Sequence, residues 1–436
     1  MTRCATLERS GQPTDTGGSW GPCANEARSW RALDEPGRRA IRCVCGGSRM
    51  IGRSPRVLFG VAVYDGPEVV PACLHSAARM AQTTCAVDVL VLDDASPMPG
   101  FSENVGGLCG ELGIGYYRSP RNLGIPRNFN LALLEALRGE YDYVVLANSD
   151  VIFSGGLLER LVAVAASDDA IGSVTAWSNH ASIYSLPNSQ PERFLSDQSL
   201  VDWVGDALAA EFGDAAIDIP VGVGFCMCIP VRALRVVGLM DPVFGRGYCE
   251  ENDWTLRSKE LGFRITLLPS AFAYHVGGSS TVAAGVVWSG EHTVPANERI
   301  LDFRYPLYRS QVERFQSSGT VEALIGRALR RVVVAAAAEW GYDITIGHVR
   351  GQETGAITAR IAVEGRDDGL EVVGAFRGFT ARLDVRGEDP VRAVVDLVGR
   401  EPTAIRIYDQ TLRNAFPRLS TDHPELVDEV TYPIRV

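Results

Sequence analysis

Several absences bound this chain before any motif is considered. No uninterrupted apolar stretch approaches the roughly 20 residues that a bilayer-spanning helix needs. The best candidates, VGVGFCMCIPV from Val221 and VVVAAAAEW from Val332, are too short. The N-terminus shows no apolar core of a secretory signal. No basic stripe is present, and a formal charge of -11 argues against a general nucleic-acid binder. The 10 cysteines lack the paired Cys-x-x-Cys spacing of a zinc site or the look of a disulfide framework. Cys73, Cys85, Cys109, Cys226, Cys228 and Cys249 lie in apolar or helical contexts, where a free thiol behaves as a small hydrophobe. Cys4, Cys23, Cys43 and Cys45 offer a zinc reading only as the weaker alternative. These absences make the cytoplasm the default location. Peripheral contact with the inner face of a membrane stays open, because a basic patch of a few residues would suffice for it.

What is present fits a folded, soluble chain. Hydrophobic residues make up 46% and charged residues 22% of 436, enough for one large or two ordinary domains. Residues 1–54 are rich in Gly, Ser, Pro and Arg without a sustained period, which predicts a disordered leader; Met50, just before the first strand, is a plausible true start. Residues 55–285 alternate strand and helix, the mark of a mixed or mostly parallel sheet flanked by helices. Helices are expected over Pro67–Thr83, Ile125–Leu137, Gly156–Ala166, Val231–Val237 and Glu251–Leu261. Asn179–Gln198 reads as a loop, and long loops in compact domains are usually functional. Residues 286–340 read as a helical extension. Residues 341–436 read as a small α+β appendage carrying no motif with attached chemistry.

Three apolar runs each end in an acid: VLFGVAVYD at Asp65, VDVLVLDD at Asp93 and Asp94, and YDYVVLANSD at Asp150. Buried parallel strands read as continuous Val/Leu/Ile runs, and ligands bind beyond their carboxyl ends. The acids should therefore converge on one crevice, where a cation and then a phosphate are expected. Each motif also has a structural reading. Asn148-Ser149-Asp150 could ligate a hard cation such as Mg²⁺ or Mn²⁺, or could be a plain turn. Asp93 and Asp94 could meet a ribose or base, or cap a turn; being adjacent on a strand, only one of them should face a ligand. Arg121-Asn122-Leu123-Gly124-Ile125-Pro126-Arg127 opens a helix that could hold an anion or simply be a solvated basic start. Glu250-Glu251-Asn252-Asp253-Trp254 puts acids in a helix's first turn, where they complement its dipole, and Asp253 could pair with Arg257 at i+4. The alternative is a carboxylate that takes a proton from an alcohol. His275 is either a satisfied core histidine or a further metal ligand.

Taken in order, VAVYDGPEVVPACLHS, LVLDDAS, RNLGIPRNFNLAL, ANSDVIFSGGLLERL, VGFCMCIPVRALRVVGLMDPVFG, the EENDW helix start and YHVGGSS resemble the inverting family-2 glycosyltransferases, particularly the rhamnosyltransferase-like branch. The match spans about Arg56 to Ser280. It implies the GT-A fold, a nucleotide-diphosphate sugar donor, Mn²⁺ or Mg²⁺, a glycan or lipid-linked acceptor, and direct displacement with inversion. By position it implies Asp150 as the acid of the metal motif, with Asn148 in that motif's first place and His275 as an additional ligand. It further implies Asp93 or Asp94 at the nucleoside, Asp65 close to the base with Tyr64 beside it, and Arg121, Asn122 and Arg127 around the donor. Asp253 resembles the general base. A sugar nucleotidyltransferase is the runner-up, but Tyr64-Asp65-Gly66-Pro67 lacks the Lys/Arg-bearing glycine loop expected to grip a triphosphate. A non-catalytic sugar- or partner-binding module is the third reading.

Overall fold

The structure is a computed structural model that describes residues 53–181, 183–189, 197–277, 294–346, 359–366, 369–385, 389–407 and 427–428. The expected leader, apart from Arg53 and Ser54, lies outside the described residues, as do Cys4, Cys23, Cys43, Cys45 and the Gly278–Ser280 end of the histidine motif. The described residues belong to one compact unit.

The chain begins with three strand–helix repeats: β1 (Arg56–Val63), α1 (Val70–Ala78), β2 (Ala86–Asp93), α2 (Phe101–Leu112), β3 (Gly115–Arg118) and α3 (Ile125–Arg138). Then come β4 (Tyr143–Asn148), β5 (Val151–Phe153), α4 (Leu157–Ser167), β6 (Ile171–Trp177) and α5 (Gln198–Phe212). β7 (Ile217–Asp218), β8 (Cys226–Pro230), α6 (Val231–Val237), α7 (Glu250–Glu260) and β9 (Arg264–His275) complete this half. Their nine strands form one mixed sheet in the order β3-β2-β1-β4-β8-β6-β9-β5, with β7 on β9.

Two features of this sheet place the site. The parallel register sets Asp93 beside Val63 and Asn148 beside Ala62, so the carboxyl ends of β1, β2 and β4 finish level with one another. Beyond β4 the direction reverses: β8 runs antiparallel to β4, and β5 runs antiparallel to β9 with Val151 opposite His275. That pairing carries a residue from far along the chain to the turn at Asp150. β1 and β4 are buried on both faces, as their unbroken apolar sequences require. α3 buries Phe129, Ala132, Leu133 and Ala136 at helical spacing. It packs so closely that a Cβ on Gly60 of β1 would lie 2.9 Å from that of Ala132.

Several elements differ from the sequence-based expectation, among them α2, which has no counterpart in it. The helix expected from Pro67 starts at Val70, because the Gly66 carbonyl first accepts the Val69 and Val70 amides in a turn, and Pro71 is the first-turn proline. β9 runs on to His275 rather than stopping at Leu268, since the register slip around Pro269 lets the strand resume against Trp177. α5 has no counterpart in that expectation. Asp197 caps it by accepting the Leu200 amide, and it buries Leu200, Val201, Val204 and Leu208 at helical spacing.

After the first sheet come α8 (Val294–Arg304), α9 (Tyr308–Gln316), the long α10 (Thr320–Trp340) and β10 (Tyr342–Ile346). Then follow β11 (Ala359–Arg366), β12 (Gly369–Phe376), β13 (Phe379–Arg382), α11 (Pro390–Val398), β14 (Ala404–Ile407) and β15 (Val427–Asp428). These strands make a second sheet in the order β13-β12-β11-β10-β14-β15. One apolar core joins the two halves: Val201, Val204 and Leu208 of α5 share it with Ala328, Val332 and Val333 of α10 and with Tyr342, Ile344 and Ile361 of the second sheet.

Candidate active site

The site is built at the carboxyl ends of β1, β2 and β4. Tyr64 and Asp65 follow β1, with Asp65 in the left-handed region at φ 49°. The Asp65 amide donates to Ser96 Oγ at 2.9 Å, and its Oδ1 accepts the Met98 amide at 3.2 Å. These bonds tie the first loop to the second.

Asp93 and Asp94 turn to opposite sides, as adjacent strand residues must. Asp93 is fully buried and accepts the Ser96 amide at 2.9 Å, Ser102 Oγ at 2.5 Å and Tyr116 Oη at 2.8 Å. Burial by itself would raise its pKa, but the hydrogen bonds from Ser102, Ser96 and Tyr116 outweigh it and hold the carboxyl below its ordinary range. Asp94 faces the other way and accepts the Leu123 amide at 2.7 Å and the Gly124 amide at 2.9 Å. Burial lifts its pKa against those bonds. Both acids are therefore engaged by the protein itself, Asp93 bracing α2 and β3 and Asp94 shaping the entry to α3.

That entry carries Arg121, Asn122 and Arg127, with both arginines exposed. Gly124 has φ 79°, and a Cβ there would lie 2.2 Å from the Gly245 carbonyl oxygen. The Ile125 amide also donates to the Arg246 carbonyl at 3.1 Å. Only glycine allows two loops so far apart in the chain to touch at this point.

Asn148 ends β4, its amide donating to the Phe225 carbonyl at 3.0 Å. Asp150 follows in the turn to β5, with its side chain only 1% exposed, and its Oδ1 lies 3.1 Å from His275 Nε2. The histidine is closely held. Its amide donates to Asn179 Oδ1 at 2.8 Å, its carbonyl accepts Asn179 Nδ2 at 3.0 Å, and its Nδ1 donates to the His180 carbonyl at 2.7 Å. The Phe225 ring stacks on the imidazole at 5.3 Å. With Nδ1 occupied by a carbonyl, Nε2 is the nitrogen turned toward Asp150. Burial opposes the imidazolium, but the Asp150 charge and the hydrogen bonds to Asp150 and His180 leave the His275 pKa raised. One carboxylate and one imidazole, oriented from behind, suit a divalent cation that completes its shell with water and substrate oxygens. No group of three or more His, Cys, Asp or Glu side chains able to cage an ion occurs among the described residues.

The helix start Glu250–Trp254 comes close to Gly224, the residue before Phe225. A Cβ on Gly224 would sit 3.3 Å from Cβ and Cγ of Glu251. Glu250 is buried and Glu251 half-buried, and the Oε2 atom of each has no hydrogen-bond partner among the described residues. Burial raises both pKa values, the Glu251 charge adding to the effect on Glu250, while the amides of Glu251, Asn252 and Gly224 restrain Glu251. Asp253 is different. Its side chain is 0% exposed; Oδ2 accepts Arg257 Nε at 2.8 Å, and Oδ1 accepts Arg304 Nη1 at 2.7 Å and Tyr305 Oη at 3.0 Å. Two guanidinium groups and a phenol on one carboxylate leave it poorly placed to receive a substrate proton. The expectation that Asp253 is the base is therefore revised. The i+4 pair with Arg257, which the sequence offered as the structural alternative, is what forms. The signal that sets the two preceding glutamates apart is that Trp254 and Thr255, not a basic residue, stand four residues after them.

A mixed sheet that changes direction beyond β4, flanked by helices and carrying an acid–histidine pair at the turn after β4, has the GT-A-like architecture of glycosyltransferases. In comparison with known proteins, residues 59–212 match the family described as Glycosyl transferase family 2. A curated relative, an undecaprenyl-phosphate mannosyltransferase of Micrococcus luteus, is 25% identical over 235 residues, covering 53% of this chain and 89% of its own length. Among solved structures, GalNAc-T7 with UDP, GalNAc and Mn²⁺ aligns with a TM-score of 0.40 at 12% identity over 54% of this chain. The chain spans about half of that protein, 48% of its length. Mannosyltransferase PcManGT from Pyrobaculum calidifontis, in complex with GDP-Man and Mn²⁺, aligns with a TM-score of 0.41 at 17% identity over 72% of this chain and 81% of its own.

Proposed function

We propose that this chain is an inverting glycosyltransferase that moves one sugar from a nucleotide-diphosphate donor to a hydroxyl of a glycan or lipid-linked glycan, in cell-envelope or exopolysaccharide synthesis. The observation that carries the proposal is the placement of two chemistries around Phe225: the Asp150–His275 pair against its ring and Glu251 against the neighbouring Gly224. Asp150 and His275 would hold Mn²⁺ or Mg²⁺ against the donor diphosphate. A divalent ion there supplies Lewis-acid charge for the leaving group. Asn179 and the His180 carbonyl keep the imidazole turned to its task. Arg121, Asn122 and Arg127 at the α3 entry would meet the donor, and Tyr64 and Asp65 after β1 would meet its nucleoside. Glu251 takes the proton of the acceptor hydroxyl as its oxygen attacks the anomeric carbon from the face opposite the leaving diphosphate. A carboxyl lifted by burial is a stronger base than an exposed one, which suits that work.

The name of the Micrococcus luteus relative raises a second reading, a polyprenyl phosphate acceptor. The Glu250 and Glu251 carboxyls, each with an unpartnered Oε2, speak against it here, since a phosphate oxygen is already ionised, needs no base and would be repelled. Glu251→Gln should lower kcat by about 10²- to 10⁴-fold while leaving donor affinity intact, and NMR of the product should show an inverted anomeric configuration. Retained configuration, or an undiminished kcat, would overturn the reading. The nucleotide is open to a thermal-shift panel of UDP-, GDP- and dTDP-sugars, in which one class should raise Tm with Mn²⁺ present. Asp150→Asn should abolish the metal-dependent part of that rise.

A further inference from the structure

The segment that delivers Glu250 and Glu251 is held in an unfavourable backbone shape. Gly245, Gly247, Tyr248 and Cys249 have φ of 61°, 133°, 73° and 77°. Two consecutive side-chain-bearing residues in the left-handed region are disfavoured, and such a stretch persists only where its surroundings over-determine it. The surroundings here come from α8, which follows the family 2 match in the chain. Asn297 is 5% exposed, and its Nδ2 donates to the carbonyls of Phe244 at 3.0 Å, Gly247 at 2.8 Å and Tyr248 at 3.0 Å. An amide nitrogen has two protons, so three acceptors within reach draw the loop tightly around one point. Seven and eight residues on, Arg304 and Tyr305 bind Asp253 in the first turn of α7, and Arg304 also reaches Asp241 Oδ2 at 2.8 Å. Leu301, between these contacts, packs with Phe244, Cys249 and Leu256 in a small core of its own. The two glutamates thus stand between two anchors supplied by α8 and the residue that follows it.

We infer that Asn297 is a positioning residue: it holds the 244–249 loop in its left-handed course and so aims Glu251 at the acceptor hydroxyl. The inference rests on the assignment of proton transfer to Glu251. Releasing the three carbonyls lets Tyr248 and Cys249 relax toward ordinary φ values, which swings the start of α7 and the glutamates with it. The α3 entry touches this loop at Gly245 and Arg246, whereas Asn297 holds Phe244, Gly247 and Tyr248. The entry is also held by Asp94 through the Leu123 and Gly124 amides, and His275 by Asn179 and the His180 carbonyl, so nucleotide and metal binding should survive loss of the Asn297 contacts. A displacement of about 1 Å at a reacting group is enough to cost on the order of 100-fold in rate.

The test measures kcat, donor KM and nucleotide affinity in the full chain for Asn297→Ala, Tyr248→Gly, the two combined, and Glu251→Gln. Asn297→Ala should lower kcat about 10- to 100-fold with donor KM and calorimetric nucleotide affinity unchanged. Adding Tyr248→Gly should recover part of that loss, because glycine adopts φ above zero without penalty and restores the loop without its clamp. A merely structural asparagine would not produce rescue by a substitution that removes contacts. If Asn297→Ala left kcat unchanged, or lowered nucleotide affinity in step with kcat, or were not rescued at all, the inference would fail. Should Asn297→Ala not fold, Asn297→Ser, which keeps a hydroxyl donor, carries the same comparison. Glu251→Gln separates the layers: if that variant stays active the proton-transfer assignment falls, whereas an inactive Glu251→Gln beside a fully active Asn297→Ala sinks only the role of Asn297.

Discussion

Glu250 shows how environment sets the behaviour of a single side chain. Its carboxyl is buried beside Glu251, and its pKa is pushed well above the ordinary 4.5. A raised folded-state pKa means that the native state binds the proton more tightly than the unfolded chain does. Its stabilising effect is complete below pH 4.5 and is lost as pH climbs toward the raised value. At neutral pH the ionised form is a burden, of about 1–3 kcal/mol for an unsatisfied buried group. Glu250→Gln should therefore raise Tm at pH 7.5 and leave it nearly unchanged at pH 4, a difference that paired thermal melts would detect. A Tm lowered by Glu250→Gln at pH 7.5 would show the carboxyl to be stabilised in its charged form. Asp253, two and three residues away from the pair, illustrates the reverse case: surrounded by Arg257, Arg304 and Tyr305, it serves as the anchor of its neighbours.

At the scale of elements, the strands were the most legible part. Unbroken Val/Leu/Ile runs ending in acids identified β1, β2 and β4, and buried parallel strands have few other ways to read. α6 begins and ends where its apolar spacing and the proline before it suggest. The loops were less legible, because their shapes depend on partners that no local pattern names. Gly124 is the clearest instance. In the sequence it is a turn residue before a helix, whereas in the structure it is where the α3 entry meets the Gly245–Arg246 loop. Gly124→Ala should destabilise the fold by at least about 1 kcal/mol from the left-handed φ alone. It should also reduce kcat, since the loop displaced by the methyl group leads into α7. Urea midpoints and initial rates would report the two effects separately, and an alanine variant with wild-type values in both would refute the packing argument. α5 was missed for another reason. It carries an ordinary cap and ordinary helical spacing, but it follows a polar, proline-containing stretch that drew the reading toward a loop.

For the molecule as a whole, the second sheet is tied into the first half by a shared core. Val201, Val204 and Leu208 lie against α10 and the second sheet rather than solvent, so the C-terminal half covers apolar surface that the first half cannot bury alone. Ending the chain before Thr320 should expose that face and yield a protein that aggregates or fails to melt cooperatively. The full chain should unfold in a single transition through this core. Two separated calorimetric transitions, or a well-behaved shortened chain, would show the halves to be independent. The described residues also contain no helix long and apolar enough to cross a membrane.

The sequence by itself determined the class of sheet, the acids at its carboxyl ends and the pairing of Asp253 with Arg257, because these follow from patterns a few residues long: continuous apolar runs, acids where the runs stop, and the i+4 geometry of a helix. Only the tertiary structure decided which acids stay uncommitted. Asp93 is spent on Ser102 and Tyr116, Asp94 on the α3 entry and Asp253 on Arg304, and each of these bonds joins residues whose spacing in the chain carries no signal. Hydrogen-bond capacity is a local property, but whether it is already filled depends on everything that folds around it.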